Sequence, residues 1–424
     1  MSDGMLQSAW RYVLIAAILP LVVLATHAGV GAYFLRKNSP EAVQRAMAWE
    51  PWNPMYAATL ANLMHIYSDN ADPGAVTQLY ERALRLSPYD ASYCVNVAQA
   101  NEWAGKPAVA AEYFAQAEKL FPNSPEVNWK AANFFVRRGR SKEALPALRK
   151  VLVSGTVAPN QIFSLVAGAQ VEESAVIREV LPSEPAAYVA YLNFLVDRGD
   201  MSGAEMLWPR LLELSAPFAV EQTFHYLDTL IKTQDVGAAV AAWSALQKKF
   251  PSMVPRPPGK DNLVSNGDFQ TDIVNGGFDW RILPRAGALV TQDAVRGPGG
   301  GSGGRELRID FDGTQNPGYD AVLQFAPAEP NTSYEFMAQM RAEGLTTDSG
   351  VSLQVMDAYE PGKLLGATEA LTGSTAWSEY KFRFTTGPRT RLLLVRVMRM
   401  PSQKFDRKIS GSFAVGHVSV VPTS

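Results

Sequence analysis

Cysteine is nearly absent from this chain. The single thiol, Cys94, excludes an internal disulfide, a CxxC redox pair and a cysteine-built zinc site. Histidine is scarce as well, and His27, His65, His225 and His417 stand far apart with no metal-ligand spacing among them. No charge excess points to nucleic acid, since Lys+Arg 39 against Asp+Glu 41 leaves a net charge of −2. The HExxH and Walker patterns do not occur, and GxSxG and the dinucleotide GxGxxG are spelled only inside the glycine run 297–304, which lacks the strand-turn-helix context either needs. What the chain does have is length. Its 424 residues, 47% hydrophobic, are enough for two or three domains, because one core rarely grows past ~250–300 residues.

From Tyr12 to Leu35 no Asp, Glu, Lys or Arg interrupts an apolar run. At about 1.5 Å per residue it reaches roughly 36 Å, enough to cross a ~30 Å hydrocarbon core. Pro20, Gly29 and Gly31 suit a spanning helix better than a soluble one. Trp10, Tyr12 and Tyr33 stand near its ends, where interfacial aromatics belong. Arg11 before the run and small residues at Ala25 and Ala28 also fit a cleaved signal peptide. The run continues past both sites, which favours a retained transmembrane helix over 12–35 behind a short tail, 1–11. The flanking charges Arg36, Lys37 and Arg45 would keep the rest of the chain in the cytoplasm by the positive-inside rule. Long domains can cross regardless of such charges. The C-terminal region described below favours the opposite orientation.

The next stretch repeats itself. Pro88 and Pro122, and likewise Gly105 and Gly139, have the same spacing. Small and large apolar positions recur in phase: Leu60, Leu63, Tyr67, Val76, Tyr80 and Ala83, then Cys94, Val97, Ala98, Ala110, Phe114 and Ala117. Later units run through Tyr188 to Leu211 and Tyr226 to Pro251. This pattern resembles the tetratricopeptide repeat family, over about 39–252. The segment 155–184 departs from it and reads as a degenerate helix pair, and 39–50 reads as a lone capping helix. A single helical hairpin cannot bury its apolar face, so such units stack into a superhelical solenoid with a concave surface. The resemblance implies binding of a partner protein or peptide. Groove candidates on the first helix of each unit are Asn62, Tyr93, Asn96, Asn101 and Asn128, with Asn193 in a later unit. The carboxylate clamp known in some of these repeats needs clustered Lys/Arg there, and the first two units have none.

Four prolines, Pro251, Pro255, Pro257 and Pro258, punctuate the end of the helices and open a semi-rigid linker, 253–260. Beyond it, about ten short β-prone runs between 262 and 421 read as an all-β sandwich. The opening Asn262-Leu-Val-Ser-Asn-Gly-Asp-Phe, then Gly277-Phe-Asp-Trp, the Asn331-to-Arg341 run and Trp377-Ser-Glu-Tyr-Lys-Phe resemble the carbohydrate-binding jelly-roll modules related to galactose-binding domains. The resemblance covers 261–424 and implies a glycan ligand or an assembly role. Sugar rings stack on flat aromatic faces, which makes Trp280, Tyr319, Tyr359 and Trp377 the aromatic candidates. Gln324, Asn316 and Arg341 are the polar ones. Phe278, Trp280 and Trp377 serve equally as core residues that close the sandwich. Gln270 and Gly416-His417 replace acidic residues that help hold a structural calcium in relatives. A hard cation wants carboxylate oxygens, so no metal is expected.

The glycine run 297–304 precedes a strand, which argues against a phosphate loop. The nine basic residues from Lys381 to Lys408, against one acid, Asp406, fit an anionic polysaccharide, lipid headgroups or a solvated strand edge. No pair of carboxylates stands out for glycoside hydrolysis, so no enzyme and no cofactor is expected. The expected fold class is multidomain: an N-terminal transmembrane helix, an all-α tetratricopeptide-like solenoid and a C-terminal all-β jelly-roll sandwich. The expected function is a single-pass scaffold of the bacterial inner membrane, its C-terminal domains on the periplasmic side. Exopolysaccharide assembly or export is its specific version. The alternatives are an interaction-only subunit of a membrane complex and a carbohydrate-active enzyme.

Overall fold

The computed structural model describes residues 3–67, 71–296, 302–405 and 407–423. Most of the glycine run 297–304, Asp406 and the side chains of Trp10, Arg11 and Tyr12 lie outside what is described. The chain forms two compact units, Met1–Pro182 and Ser183–Ser424.

The first unit is all helix. α1 (Asp3–Leu35) is continuous through Pro20. Its stretch Val13–Leu35 is long and apolar enough to cross a membrane, and the side chains from Val13 to Leu24 are about half exposed. The following helices are α2 (Pro40–Trp49), α3 (Pro54–Tyr67), α4 (Pro73–Leu86), α5 (Ala91–Trp103), α6 (Pro107–Leu120), α7 (Pro125–Arg137), α8 (Ser141–Ser154) and α9 (Pro159–Gly168). α10 (Glu173–Ala175) runs into a π-turn, Val176–Val180.

The sequence dictates the punctuation. Proline opens most of these helices, where its missing N–H costs nothing, and Ser39, Asp72 and Ser124 cap them through side-chain oxygens. Between α5 and α6, Gly105 takes φ +75°, and the Lys106 N–H then closes the helix on the Asn101 carbonyl at 2.8 Å. Alanines Ala98, Ala110, Ala117, Ala131, Ala132 and Ala144 are fully buried where helices meet.

The second unit begins with two further hairpins, α11 (Pro185–Asp197) with α12 (Met201–Glu213) and α13 (Phe224–Lys232) with α14 (Val236–Lys249). It continues into a sandwich of two five-stranded antiparallel sheets. The strands are β1 (Arg281–Ile282), β2 (Ala288–Arg296), β3 (Ser302–Asp312), β4 (Val322–Pro327), β5 (Ser333–Leu345), β6 (Ser352–Asp357), β7 (Leu364–Ala367), β8 (Gly373–Thr385), β9 (Leu392–Met398) and β10 (Ser410–Pro422). One sheet has the order β1-β4-β9-β6-β7 and the other β2-β3-β10-β5-β8. Alternating side chains meet between the sheets, among them Phe336, Met340, Val395, Phe413 and Val418.

The first of the expected β-prone runs, 262–270, is instead a looped segment. Asn266 and Phe269 adopt φ of +49° and +56°, left-handed rather than extended backbone. Its Phe269 still fills the core.

The helices of the second unit grip the sandwich directly. Arg281 forks onto Asp228 of α13, and the Tyr359 hydroxyl donates to the Ile231 carbonyl at 2.6 Å. Gly276 and Gly277 press against the rings of Phe224 and Trp243, leaving no room for a Cβ.

Candidate functional site

Two surfaces stand out among the described residues, one in each unit. In the first unit a groove of about 780 Å³ opens across α3, α4, α5 and α7. Met55, Thr59 and Asn62 project from one stripe of α3, and Tyr93, Asn96, Gln99 and Trp103 from one stripe of α5. Residues three, four and seven apart share a helix face, so the polar spacing itself builds this lining. At one end His65 meets Trp103 edge-on, with ring centroids 4.5 Å apart. Glu102 there holds Arg137 at 2.9 Å and Arg138 at 3.3 Å. Lys130 also lines the groove, bound to Glu126 at 2.8 Å. Burial pushes the Tyr80 and Tyr93 hydroxyls upward, so both stay protonated at neutral pH. The wall thus offers amide donors and acceptors, phenols, an aromatic corner and two cations.

The structure separates the groove candidates. Asn62, Tyr93 and Asn96 line it together. Asn101 and Asn128 are buried instead. Asn101 donates back to the Val97 carbonyl at 2.9 Å. Asn128 donates to the Pro122 and Ser124 carbonyls at 3.1 and 2.7 Å, fastening the turn before α7. Asn193 keeps a buried side-chain oxygen without a partner. The signal that divides these asparagines is helical phase: Asn101 falls beside Val97 and Ala98 on the packed side. Lys130 and Arg137 come from the third unit, beyond the two whose lack of basic residues the sequence made plain.

The second unit separates its candidates as sharply. Trp280 is buried against Phe269, its indole N–H donating to the Asn266 carbonyl at 3.2 Å. Tyr319 is fully buried, edge-on to Phe311. Gln324 is fully buried and donates to the Ser265 carbonyl at 2.7 Å. Tyr359 spends its hydroxyl on α13, and burial pushes that phenol up to about 12. Asn316 braces a loop by accepting from Arg399 and the Ser402 N–H. Trp377 alone of the aromatic set lies on an open sheet face.

That face belongs to β2-β3-β10-β5-β8. Arg341 of β5 stands 5.3 Å from the Trp377 ring. Its guanidinium binds Glu306 of β3 at 2.8 Å and also reaches Glu343. Gly416 sits at a register shift in β10, and a Cβ there would come within 3.2 Å of the Trp377 ring. The ring therefore lies down on the sheet where the backbone has no side chain. Gln339 and His417 form the next cross-strand pair.

The positions tied to calcium in relatives offer poor donors. Gln270 turns its amide to the Asp268 carbonyl, and Gly416 carries Trp377. This donor set does not fit a hard cation. The basic run is dispersed: Arg383 pairs with Glu335, Lys404 with Asp348, and Arg399 is buried among carbonyl and amide oxygens. Burial also raises the Cys94 thiol, which leaves it inert.

Residues 103–159 match the family model described as Tetratricopeptide repeat. No curated protein matches the chain. Among solved structures, one described as CBM4 is 17% identical, covers 38% of this chain and 99% of its own, with a TM-score of 0.28. PilW, described as a type IV pilus biogenesis factor, is 19% identical over 46% of this chain and 94% of its own, with a TM-score of 0.25. YrrB, described as a TPR protein with an unusual peptide-binding site, is 14% identical over 50% of this chain and 94% of its own, also with a TM-score of 0.25. The chain joins a helical region carrying tetratricopeptide-type repeats to an all-β sandwich.

Proposed function

We propose that the chain is a membrane-held, non-catalytic scaffold whose groove takes an extended segment of a partner protein. The observation that carries this reading is the joint lining by Asn62, Tyr93 and Asn96. A peptide in extended form presents one N–H and one C=O per residue, and carboxamides pair with both. Lys130 and Arg137 favour an acidic side chain at the α7 end, and the His65–Trp103 corner favours an apolar or aromatic one. The half-exposed apolar row Val13–Leu24 of α1 supports a retained membrane span.

The sandwich takes the second role. A glycan of the cell envelope is its proposed ligand, at the face of Trp377, Arg341 and Gln339. A flat ring beside planar hydrogen-bonding groups is what a pyranose requires. Exopolysaccharide assembly or export, from the periplasmic side of a bacterial inner membrane, is the setting that joins the three parts. The burial of Trp280, Tyr319 and Gln324 supports the other reading, a sandwich that docks a subunit and binds no sugar.

Peptide selection on the full chain tests the first role. Selected acidic, extended peptides are expected to lose binding to an Asn62→Ala/Asn96→Ala chain that unfolds like the parent. Equal binding to both chains removes the groove from the mechanism. A compartment-sensitive reporter after Ser424 tests the orientation, and a cytoplasmic signal sinks the envelope setting.

A further inference from the structure

The last turns of α1 do not stand free of the repeat array. His27, Val30, Gly31, Phe34 and Leu35 recur three and four residues apart, so they share one helix face. Phe34 and Leu35 pack on the buried cluster of Val43, Ala46, Tyr56, Leu60 and Leu63. Gly31 is where the Tyr56 hydroxyl and the Glu50 carboxylate come close, and a Cβ there would meet them at 2.6 and 2.7 Å. The His27 Nδ1–H donates to the Trp49 carbonyl at 2.5 Å. The same ring lies 5.3 Å from the Trp49 indole and 5.8 Å from that of Trp52.

This fixes a depth. His27 is eight residues before Leu35, or about 12 Å along a helix. Trp49 and Trp52 are therefore pinned beside the apolar helix well before its end, which leaves Tyr12–Thr26, about 22 Å of helix, for the hydrocarbon, a length that a locally thinned bilayer accommodates. Both indoles are nonetheless exposed, by 42% and 50%. Two large aromatic rings open to water, clasped to a membrane-crossing helix, have an obvious neighbour in the headgroup layer, where tryptophan is enriched. Cations stand at the same end. The Lys37 ammonium lies 4.9 Å from the ring of Tyr33, itself 58% exposed. Arg36, Lys37 and Arg45 are exposed and form no ion pair among the described residues. Such cations on long stems suit phospholipid phosphates.

We propose that Trp49 and Trp52, at the turn between α2 and α3, are seated in the headgroup layer of the bilayer that α1 enters. The first turn of the array is then a membrane-surface element, and the array is held to the membrane at two places. The inference rests on reading α1 as a retained span, and the experiment separates the two.

The full chain, with Cys94→Ala and Trp52→Cys, carries an environment-sensitive fluorophore at the new thiol. It is assembled with nanodiscs of zwitterionic phospholipid containing some anionic lipid. A companion chain carries the label through Tyr89→Cys, at a site 81% exposed. Co-elution with nanodiscs reads the span. The label at 52 is expected to shift its emission to the blue, to be quenched by lipids brominated near the headgroup end, and to resist aqueous iodide. The label at 89 is expected to do none of these. A chain that co-elutes while its label at 52 is as open to iodide as that at 89 overturns the proposal and leaves the span standing. A chain that does not co-elute removes both. Trp49→Cys in the same background repeats the reading should the first variant misfold.

Discussion

Arg281 and Asp228 form a two-pronged ion pair, with Nη1 2.9 Å from one carboxylate oxygen and Nη2 2.6 Å from the other. The pair joins β1 to α13 inside the second unit. Arg281 also donates to the Gly277 carbonyl at 3.0 Å and stands 5.3 Å from the Phe325 ring. Its side chain is 16% exposed and that of Asp228 40%, so solvent screens the pair only partly. Arg281→Ala is expected to cost about 1–3 kcal/mol. A double-mutant cycle with Asp228→Ala measures the coupling, expected at about 1–2 kcal/mol. Additive single losses would make the fork a crystal-like surface pair with no structural weight.

Gly277, beside that pair, combines a left-handed backbone with a close ring contact. Its φ is +54°, and a Cβ would stand 2.3 Å from Trp243. Left-handed strain of about 1–2 kcal/mol adds to an overpacking cost of about 1–3 kcal/mol. Gly277→Ala is thus expected to lower the unfolding free energy by roughly 2–5 kcal/mol. Urea titration followed by near-ultraviolet circular dichroism reads it. A change within a few tenths would mean that the loop and α14 do not touch.

The asparagines of the array divide into two predicted classes. Asn62→Ala and Asn96→Ala are expected to leave stability near that of the parent and to weaken a groove peptide about tenfold each, one hydrogen bond's worth. Asn128→Ala is expected to do the reverse, costing about 1–2 kcal/mol of stability because two carbonyls lose their donor. Binding and melting curves on the same three proteins settle the division. Loss of peptide affinity at Asn128 with unchanged stability would reverse the assignment.

Asp279 supplies a pH signature. Burial pushes its carboxyl up to about 6, although the Val274 and Trp280 N–H groups and the Asn266 amide pull it down. A folded pKa above the unfolded one means that folding takes up a proton. The resulting stability is complete below about pH 4 and is lost as pH rises through about 6. That rise corresponds to about 3 kcal/mol. The difference between parent and Asp279→Asn chains in urea isolates this residue. The parent is expected to gain stability from pH 7 to pH 4 relative to the variant, and parallel profiles would refute the shift.

Much of this architecture is legible in the residues. Pro88, Pro122, Gly105 and Gly139 mark helix ends because their backbone chemistry is local, and the alanine phase marks where helices meet. The ligand surfaces were less legible. Whether Trp280 or Trp377 faces solvent depends on strand register and on a loop with positive φ at Asn266 and Phe269, which alternation alone does not reveal. Asn101 and Asn96 look alike in composition and differ only in helical phase. The grip of α13 and α14 on the sandwich is likewise invisible to periodicity, because Asp228 and Arg281 are separated by a proline-rich stretch and meet only in space.

Trp377 carries the decisive test of the sandwich. Its ring lies over Gly416 with Arg341 at 5.3 Å, on the outer face of a sheet whose inner face is already filled. Trp377→Ala therefore removes a surface platform and little core, so a stability change below about 1 kcal/mol is expected. Trp280→Phe, by contrast, deletes a buried indole whose N–H holds the Asn266 carbonyl, and is expected to cost about 1–3 kcal/mol without touching a ligand. If a glycan binds this face, Trp377→Ala abolishes retention on a glycan array while Trp280→Phe keeps it. Gly416→Val forms the complement, since its side chain would lift the ring and weaken binding with Trp377 still present. Should neither change alter retention, the sugar is held elsewhere. Should the parent retain no glycan at all, the sandwich is a docking module, and the Trp377 face becomes the place to seek its protein partner.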